Sequence, residues 1–184
     1  TTLDDHIKAG KIRAVGLSNE TAWGTAAFLR LAELHALPRM VTIQNEYSLL
    51  CRWFDLDLAE VAINENVGLL CYTPLAAGIL SGKYLNGALP KNSRASIKPG
   101  LDGRLTEYTD PPVREYLDIA ERHNLRPEQM AVAFCLQRPF TSSVIIGATS
   151  LEQLDIALRS SDIKLTEIVL SDIKKVHRRY PAPL

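Results

Sequence analysis

The chain has 184 residues, 46% of them hydrophobic, which is enough for a substantial buried core within one ordinary domain and argues against disorder. Its 21 basic and 21 acidic side chains cancel, so it lacks the charge that nucleic acids or anionic membranes recruit, and neither is expected as a partner. Cys51, Cys71 and Cys135 are widely spaced, without a C-x-x-C pair, and His6, His35, His123 and His177 are scattered; this argues against a disulfide framework or a metal site and for a reducing, cytoplasmic setting.

Thr1-Thr2-Leu3-Asp4-Asp5 reads as the cap and first turn of a helix, so the sequence reads as starting inside a larger architecture. Leu3 and Ile7 share a face of that helix, and Gly10 is placed to end it before the extended apolar run from Ile12 to Leu17. Ser18-Asn19-Glu20-Thr21 opens a second helix, in which Ala22, Ala26, Leu29, Ala32 and Ala36 keep three-four spacing up to Pro38. Met40 to Gln44 is the next strand, a helix from about Leu56 to Asn64 follows, and Val67 to Tyr72 is the third strand.

From Thr73 to Pro112 the chain is rich in Gly, Pro and Ser and has little periodicity, which suggests a functional loop rather than a simple connection. Helices are predicted at about Val113 to His123 and Pro127 to Gln137, a fourth strand at Ser143 to Gly147, a helix opening at Ser150, and a last helix over Thr166 to Arg179. The longest apolar stretches are far too short to cross a bilayer, and no signal peptide or lipidation motif is seen, so a soluble protein is expected.

Strands separated by helices imply right-handed βαβ units, a parallel sheet, and, because the strands are near-continuously apolar, cover on both sheet faces. Four such strands are half of a (β/α)8 TIM barrel, with residues 1–184 as one undivided unit. The rival, a doubly wound sheet, would place G-x-G-x-x-G after its first strand, where this chain has Gly16-Leu17-Ser18-Asn19.

Functional groups of α/β barrels gather at the C-terminal strand ends, which here deliver Ser18 and Asn19, Gln44 and Asn45, Tyr72 and Thr73, and Gly147, Ala148 and Thr149. Ser18, Asn19 and Gln44 could hold a primary amide, since Asn and Gln both donate and accept; Ser18 and Asn19 could equally be helix caps. Tyr72 offers a flat face to an aromatic ligand or is a rim tyrosine, and the turn at Gly147 suits a phosphate or is a capped βα turn. Lys83 and Arg94, in the loop segments Ser81-Gly82-Lys83 and Ser93-Arg94, could meet phosphate charge or simply be solvated. No catalytic triad, carboxylate pair or metal cluster is evident; Asp4-Asp5, Asp55 with Asp57, and Glu128 read as solvated positions.

Taken together, Gly16-Leu17-Ser18-Asn19, Ile43-Gln44-Asn45-Glu46-Tyr47-Ser48, Tyr72-Thr73-Pro74-Leu75-Ala76-Ala77-Gly78, Ser81-Gly82-Lys83-Tyr84 and Ile146-Gly147-Ala148-Thr149 with Glu152-Gln153-Leu154 resemble the aldo-keto reductases, most of all the bacterial Tas-type members related to potassium-channel β subunits. The resemblance covers almost the whole chain and implies the last four strand-helix units of the barrel. It implies that Ser18, Asn19 and Gln44 hold the carboxamide of an NADP nicotinamide and that Tyr72 stacks on its ring. Thr73, Pro74, Leu75, Ala76 and Lys83 would follow the pyrophosphate, and Arg94, Thr149 and Gln153 would approach the adenosine 2′-phosphate.

Ile156-Ala157 stands where related sequences commonly have Glu-Asn, which implies a looser hold on the adenine end. The family's catalytic Asp, Tyr, Lys and His match nothing here; the resemblance puts them upstream of Thr1. The implied reaction of an intact relative is hydride transfer from NADPH to an aldehyde or ketone, with this chain supplying the cofactor-binding half and needing the missing N-terminal half, or a second copy, as partner. The alternatives are a non-catalytic NADP-binding or assembly module that self-associates as a half barrel, and a phosphate-binding barrel enzyme of another superfamily.

Overall fold

A computed structural model describes residues 2–184, so the cap read at Thr1 lies outside the described residues. Helix α1 (Thr2–Lys8) leads to strand β1 (Val15–Ser18), helix α2 (Ala22–Leu34), strand β2 (Met40–Glu46), helix α3 (Leu58–Asn64) and strand β3 (Gly68–Tyr72). After a long excursion containing the short helix α4 (Arg94–Ile97) come helices α5 (Asp110–Arg122) and α6 (Pro127–Leu136), strand β4 (Thr141–Val144), and helices α7 (Leu151–Arg159) and α8 (Glu167–Arg179). The four strands form one sheet in the order β1-β2-β3-β4, every neighbouring pair parallel.

Local chemistry sets most of these boundaries. The Thr21 hydroxyl accepts from Gly24 N at 3.0 Å to start α2, and the Asp57 carboxylate accepts from Leu58 N at 2.7 Å to start α3, two residues after the expected Leu56. Helix α5 begins at Asp110, three residues before the expected Val113, because Pro111 and Pro112 occupy its first turn, where proline's missing N–H costs nothing. Strand β1 starts at Val15 rather than Ile12, whose N–H still donates to His6 O at 3.3 Å in the turn closing α1. The stretch from Thr73 to Pro112 is a packed excursion rather than an open loop: Ile79, Leu80, Tyr84, Ala95 and Leu101 are all buried.

Strand β4 corrects the prediction of Ser143 to Gly147. It runs from Thr141 to Val144, pairing Leu69 with Thr141 and Cys71 with Val144. Ile145 N still donates to Cys71 O at 2.8 Å, but β3 ends at Tyr72 and offers no partner further on. The apolar run therefore outlasts the ladder, and Gly147 lies beyond the strand end.

Burial alternates along the inner strands, with Ile43, Leu69 and Cys71 fully buried on one face and Thr42, Gln44, Leu70 and Tyr72 less so on the other. Cover on both faces was expected; within the described residues only one face is fully packed. The core centres on Tyr47, which stacks on Phe134 (6.0 Å between centroids) and meets Phe140 and Phe54 edge-on at 5.5 and 6.3 Å. All three cysteines are free and buried, Cys71 and Cys135 within this core.

Both ends of the sheet carry exposed apolar side chains. Leu151, Leu154 and Leu158 line one exposed side of α7, and at the β1 end a groove of about 410 Å³ is lined by Leu3, Phe28, Leu31, Leu37 and Met40, among others. No helix of the described residues is long and apolar enough to cross a membrane.

Helices α5 and α8 are clasped by charge. Asp172 on α8 accepts from Lys175 Nζ (2.8 Å) and Arg122 Nη1 (3.0 Å) and lies 3.4 Å from His123 Nε2. Lys175, then Arg122 and His123, hold its carboxyl well below the ordinary carboxylate range. A carboxylate with a depressed folded pKa contributes stability that is present above its unfolded value, about 3.9, and is lost as the pH falls through the folded value. The urea midpoint should therefore drop on acidification below about pH 4, and Asp172→Asn should flatten that part of the curve. Parallel midpoint-against-pH curves for the two proteins would remove Asp172 from the acid response.

Candidate functional site

The C-terminal ends of β1, β2 and β3 bring four of the expected side chains together. Ser18 is in register with Gln44, and Glu46 with Tyr72, so the three strand ends step across one rim. Asn19, in the left-handed region at φ 53°, turns back so that its N–H donates to Gln44 O at 2.9 Å. The Tyr72 hydroxyl donates to Asn19 Oδ1 at 2.5 Å, tying the first and third strand ends together.

The Ser18 hydroxyl and the Gln44 carboxamide make no side-chain hydrogen bond to any described residue, which leaves them open to a ligand. Helix capping, the other reading of Ser18 and Asn19, belongs instead to Thr21. Asn45 is a brace: its Nδ2 donates to Glu20 O at 2.9 Å and its Oδ1 accepts from Glu20 N at 3.3 Å, fixing the loop after β1 against the end of β2.

The segment after β3 winds tightly. Ala76 N donates to Thr73 O (2.8 Å), and Gly78 N and Leu80 N both donate to Leu75 O (2.9 and 3.2 Å); Pro74 and Ala76 are buried. Lys83 folds back over this turn: a Cβ on Gly78 would stand 2.9 Å from both its Cε and its Nζ, and Nζ lies 5.1 Å from the Tyr84 ring centroid. Gly78, at φ 94°, is therefore favoured by its backbone, while the lysine that crosses it is a flexible chain that could swing aside.

Beyond β4, Thr149 N and Oγ1 both donate to Gln153 Oε1 (2.9 and 3.1 Å), while the Ser150 hydroxyl accepts from Gln153 N at 3.2 Å to cap α7. Gly147 has no atom within 4 Å of where a Cβ would lie, so its backbone is openly approachable. Arg94 is the exposed first residue of α4, and no hydrogen bond or ion pair joins it to Thr149 or Gln153. The expected residues thus form two clusters, one at the β1–β3 rim and one at the start of α7, with Lys83 and Arg94 on the intervening excursion.

An open cleft of about 630 Å³ adjoins the first cluster, lined by Asn19 and Tyr72 together with Glu20, Glu46, Trp53, Leu56, Asp102 and Arg104. Sequence reasoning missed its best-defined feature. Arg104 Nε and Nη2 donate to the two Glu46 carboxylate oxygens at 2.7 and 2.6 Å, a two-pronged pair across 58 positions of sequence. The hydrogen bond to Glu46 raises the Arg104 pKa further above its ordinary value.

With this geometry in hand, comparison with known proteins is decisive. The profile described as "Aldo/keto reductase family" matches residues 1–178. The chain belongs to the aldo/keto reductase family. It is 48% identical over 183 residues to Protein tas of Escherichia coli, covering 98% of this chain and 53% of that protein. It is 33% identical over 155 residues to the L-glyceraldehyde 3-phosphate reductase of the same bacterium (81% of this chain, 44% of that protein), and 31% over 166 residues to a probable voltage-gated potassium channel subunit beta of Arabidopsis thaliana (87% and 49%). The chain spans about half the length of these curated relatives. Its four parallel strands with intervening helices are accordingly part of a (β/α)8 barrel.

Proposed function

We propose that residues 1–184 are the C-terminal half of an NADPH-dependent aldo-keto reductase, the half that grips the dinucleotide while its partner half performs proton transfer to an aldehyde or ketone. One observation carries this reading: Ser18, Asn19, Gln44 and Tyr72 converge on one rim, two of them with unused hydrogen-bonding groups beside an aromatic ring. The residues fit a nicotinamide, because the side chains of Asn19 and Gln44 pair donors with acceptors as a carboxamide requires, and Tyr72 is partly exposed at the same rim. The Tyr72 bond uses one lone pair of Asn19 Oδ1, which leaves the Asn19 Nδ2 donors for that carboxamide.

The dinucleotide, when bound, supplies the hydride. In this reading Ser18, Asn19 and Gln44 fix the carboxamide, Tyr72 sets which ring face is presented, and Thr73 to Ala76 with Lys83 lie along the pyrophosphate. Gly147 offers open backbone to a phosphate, Thr149 and Gln153 form the far end, and the cations Lys83 and Arg94, neither in a salt bridge among the described residues, favour the extra phosphate of NADP over NAD. No acid for the alkoxide is assigned within 1–184; Tyr72 is committed to binding.

The exposed leucines of α7 and the groove beside β1 support a partner that closes the barrel, either the other half or a second copy. The same surfaces favour a second reading, a self-associating NADP-binding or assembly module without catalysis. Three buried free thiols suit the cytoplasm.

Titration with NADPH, followed by nicotinamide fluorescence, should saturate, and Tyr72→Ala should weaken binding about tenfold, the scale of one lost aromatic contact. Carbonyl turnover by 1–184 alone should be negligible. Absence of saturable binding would overturn the cofactor-half reading, and turnover by the pure chain would overturn the division of labour.

A further inference from the structure

The cleft beside Tyr72 has a size suited to a small molecule, and its wall is apolar where Trp53 and Leu56 stand more than half exposed. Its polar side is acidic. Glu20, Glu46, Asp57 and Asp102 face it, and among the described residues Arg104 is the one cationic side chain in its lining. The guanidinium is engaged on both sides: Nε and Nη2 donate to Glu46, and Nη1 donates to Leu101 O at 3.2 Å with Asp102 Oδ2 3.7 Å away. Asp102 is itself held ionised by Lys98 at 2.5 Å.

We infer that Glu46 sets the charge selectivity of this cleft: by occupying Arg104 it leaves an apolar pocket without a free cation, which takes uncharged carbonyl compounds with an aromatic or aliphatic body and rejects carboxylates and phosphates. The carbonyl class rests on the reductase reading; the charge selectivity follows from the cleft itself. The guanidinium fork is the group best shaped to capture a planar anion, so its commitment to an internal carboxylate decides what the site can accept. An incoming anion would have to displace Glu46, leaving a half-buried carboxylate at the end of β2 without its partner. A neutral ring meets no such cost and covers Trp53 and Leu56.

Saturation-transfer NMR on the full chain at low salt, with benzaldehyde and para-carboxybenzaldehyde as probes, tests this directly. Benzaldehyde should bind at least about tenfold more tightly than the carboxylate, and Glu46→Gln should narrow or reverse that gap by releasing Arg104. The double variant with Glu46→Gln and Arg104→Gln should lose the gained anion binding while keeping benzaldehyde; circular dichroism confirms that each variant is folded. Should Glu46→Gln fail to fold, Arg104→Gln alone should leave the preference for benzaldehyde intact. Equal binding of the two aldehydes by the unaltered chain, no binding of either, or an unchanged gap in folded Glu46→Gln would overturn the proposal. NADPH titration of the same samples separates the two ideas: aldehyde selectivity without NADPH binding sinks the cofactor reading alone, and NADPH binding without selectivity sinks this one alone.

Discussion

Tyr47→Ala should lower the urea midpoint sharply at neutral pH. The side chain is fully buried, stacked on Phe134 and flanked edge-on by Phe54 and Phe140, and its hydroxyl donates to Asp55 Oδ1 at 2.8 Å. Removing such a ring from a packed core costs roughly 3–5 kcal/mol, a large part of the roughly 5–15 kcal/mol that holds a domain together. The main chain adds to the loss: Tyr47 N donates to Tyr72 O at 2.6 Å and Tyr47 O accepts from the Cys71 thiol at 3.1 Å, so slack at Tyr47 loosens β3 where the site is built. Tyr47→Phe keeps the ring cluster and gives up only the hydroxyl bond to a carboxylate, about 1.5–3 kcal/mol. Urea unfolding followed by far-ultraviolet circular dichroism should rank the midpoints wild type, then Phe, then Ala. An Ala variant as stable as the Phe variant would mean that the rings around Tyr47 are not the hub of the core.

Gly16→Val should destabilise the protein even though valine is the better strand residue. Strand propensity would favour Val by up to about 1 kcal/mol. The geometry opposes it: a Cβ on Gly16 would stand 2.3 Å from Thr42 Oγ1 and 2.8 Å from Thr42 O. The hydroxyl can rotate away; the carbonyl, part of the neighbouring strand, cannot. Overpacking of this kind costs about 1–3 kcal/mol, so the collision wins. The strand affected is β1, which has one neighbour among the described residues and ends two residues later at Ser18 opposite Gln44. Gly16→Val should therefore lower the urea midpoint and also weaken NADPH binding, whereas Gly16→Ala should do both more mildly. A valine variant with unchanged midpoint and unchanged NADPH binding would show that β1 can shift without cost.

These two residues illustrate what the sequence could tell. Both fell inside segments recognised for their resemblance to a family, yet neither role was legible there. That Gly16 admits Thr42 and that Tyr47 gathers three rings depend on strands and helices far apart in the chain. The alternating strand-helix pattern was readable because burial imposes its period locally, and the strand-end rule brought Ser18, Gln44 and Tyr72 together without any knowledge of contacts. It failed at β4, since the apolar run through Ile145 and Ile146 is longer than the partner strand it needs. It failed again at Pro111-Pro112, where a helix start resembles a loop. The pairing of Glu46 with Arg104 left no signal: an acid inside a recognised segment and a single base 58 residues on have no periodicity, and only the folded excursion makes them neighbours.

The placement of the three thiols has a bearing on how this protein meets oxidants and electrophiles. Cys71 and Cys135 are wholly enclosed, and burial, then the nearby Glu46 charge, pushes the Cys51 thiol up to about 11, so the reactive thiolate is scarce at neutral pH. The native molecule is thus chemically quiet at sulfur. A thiol reagent would reach Cys71 and Cys135 only in molecules whose core has opened, so their labelling would report how often that opening occurs, while Cys51, beside the cleft, stays slow because its thiolate is rare.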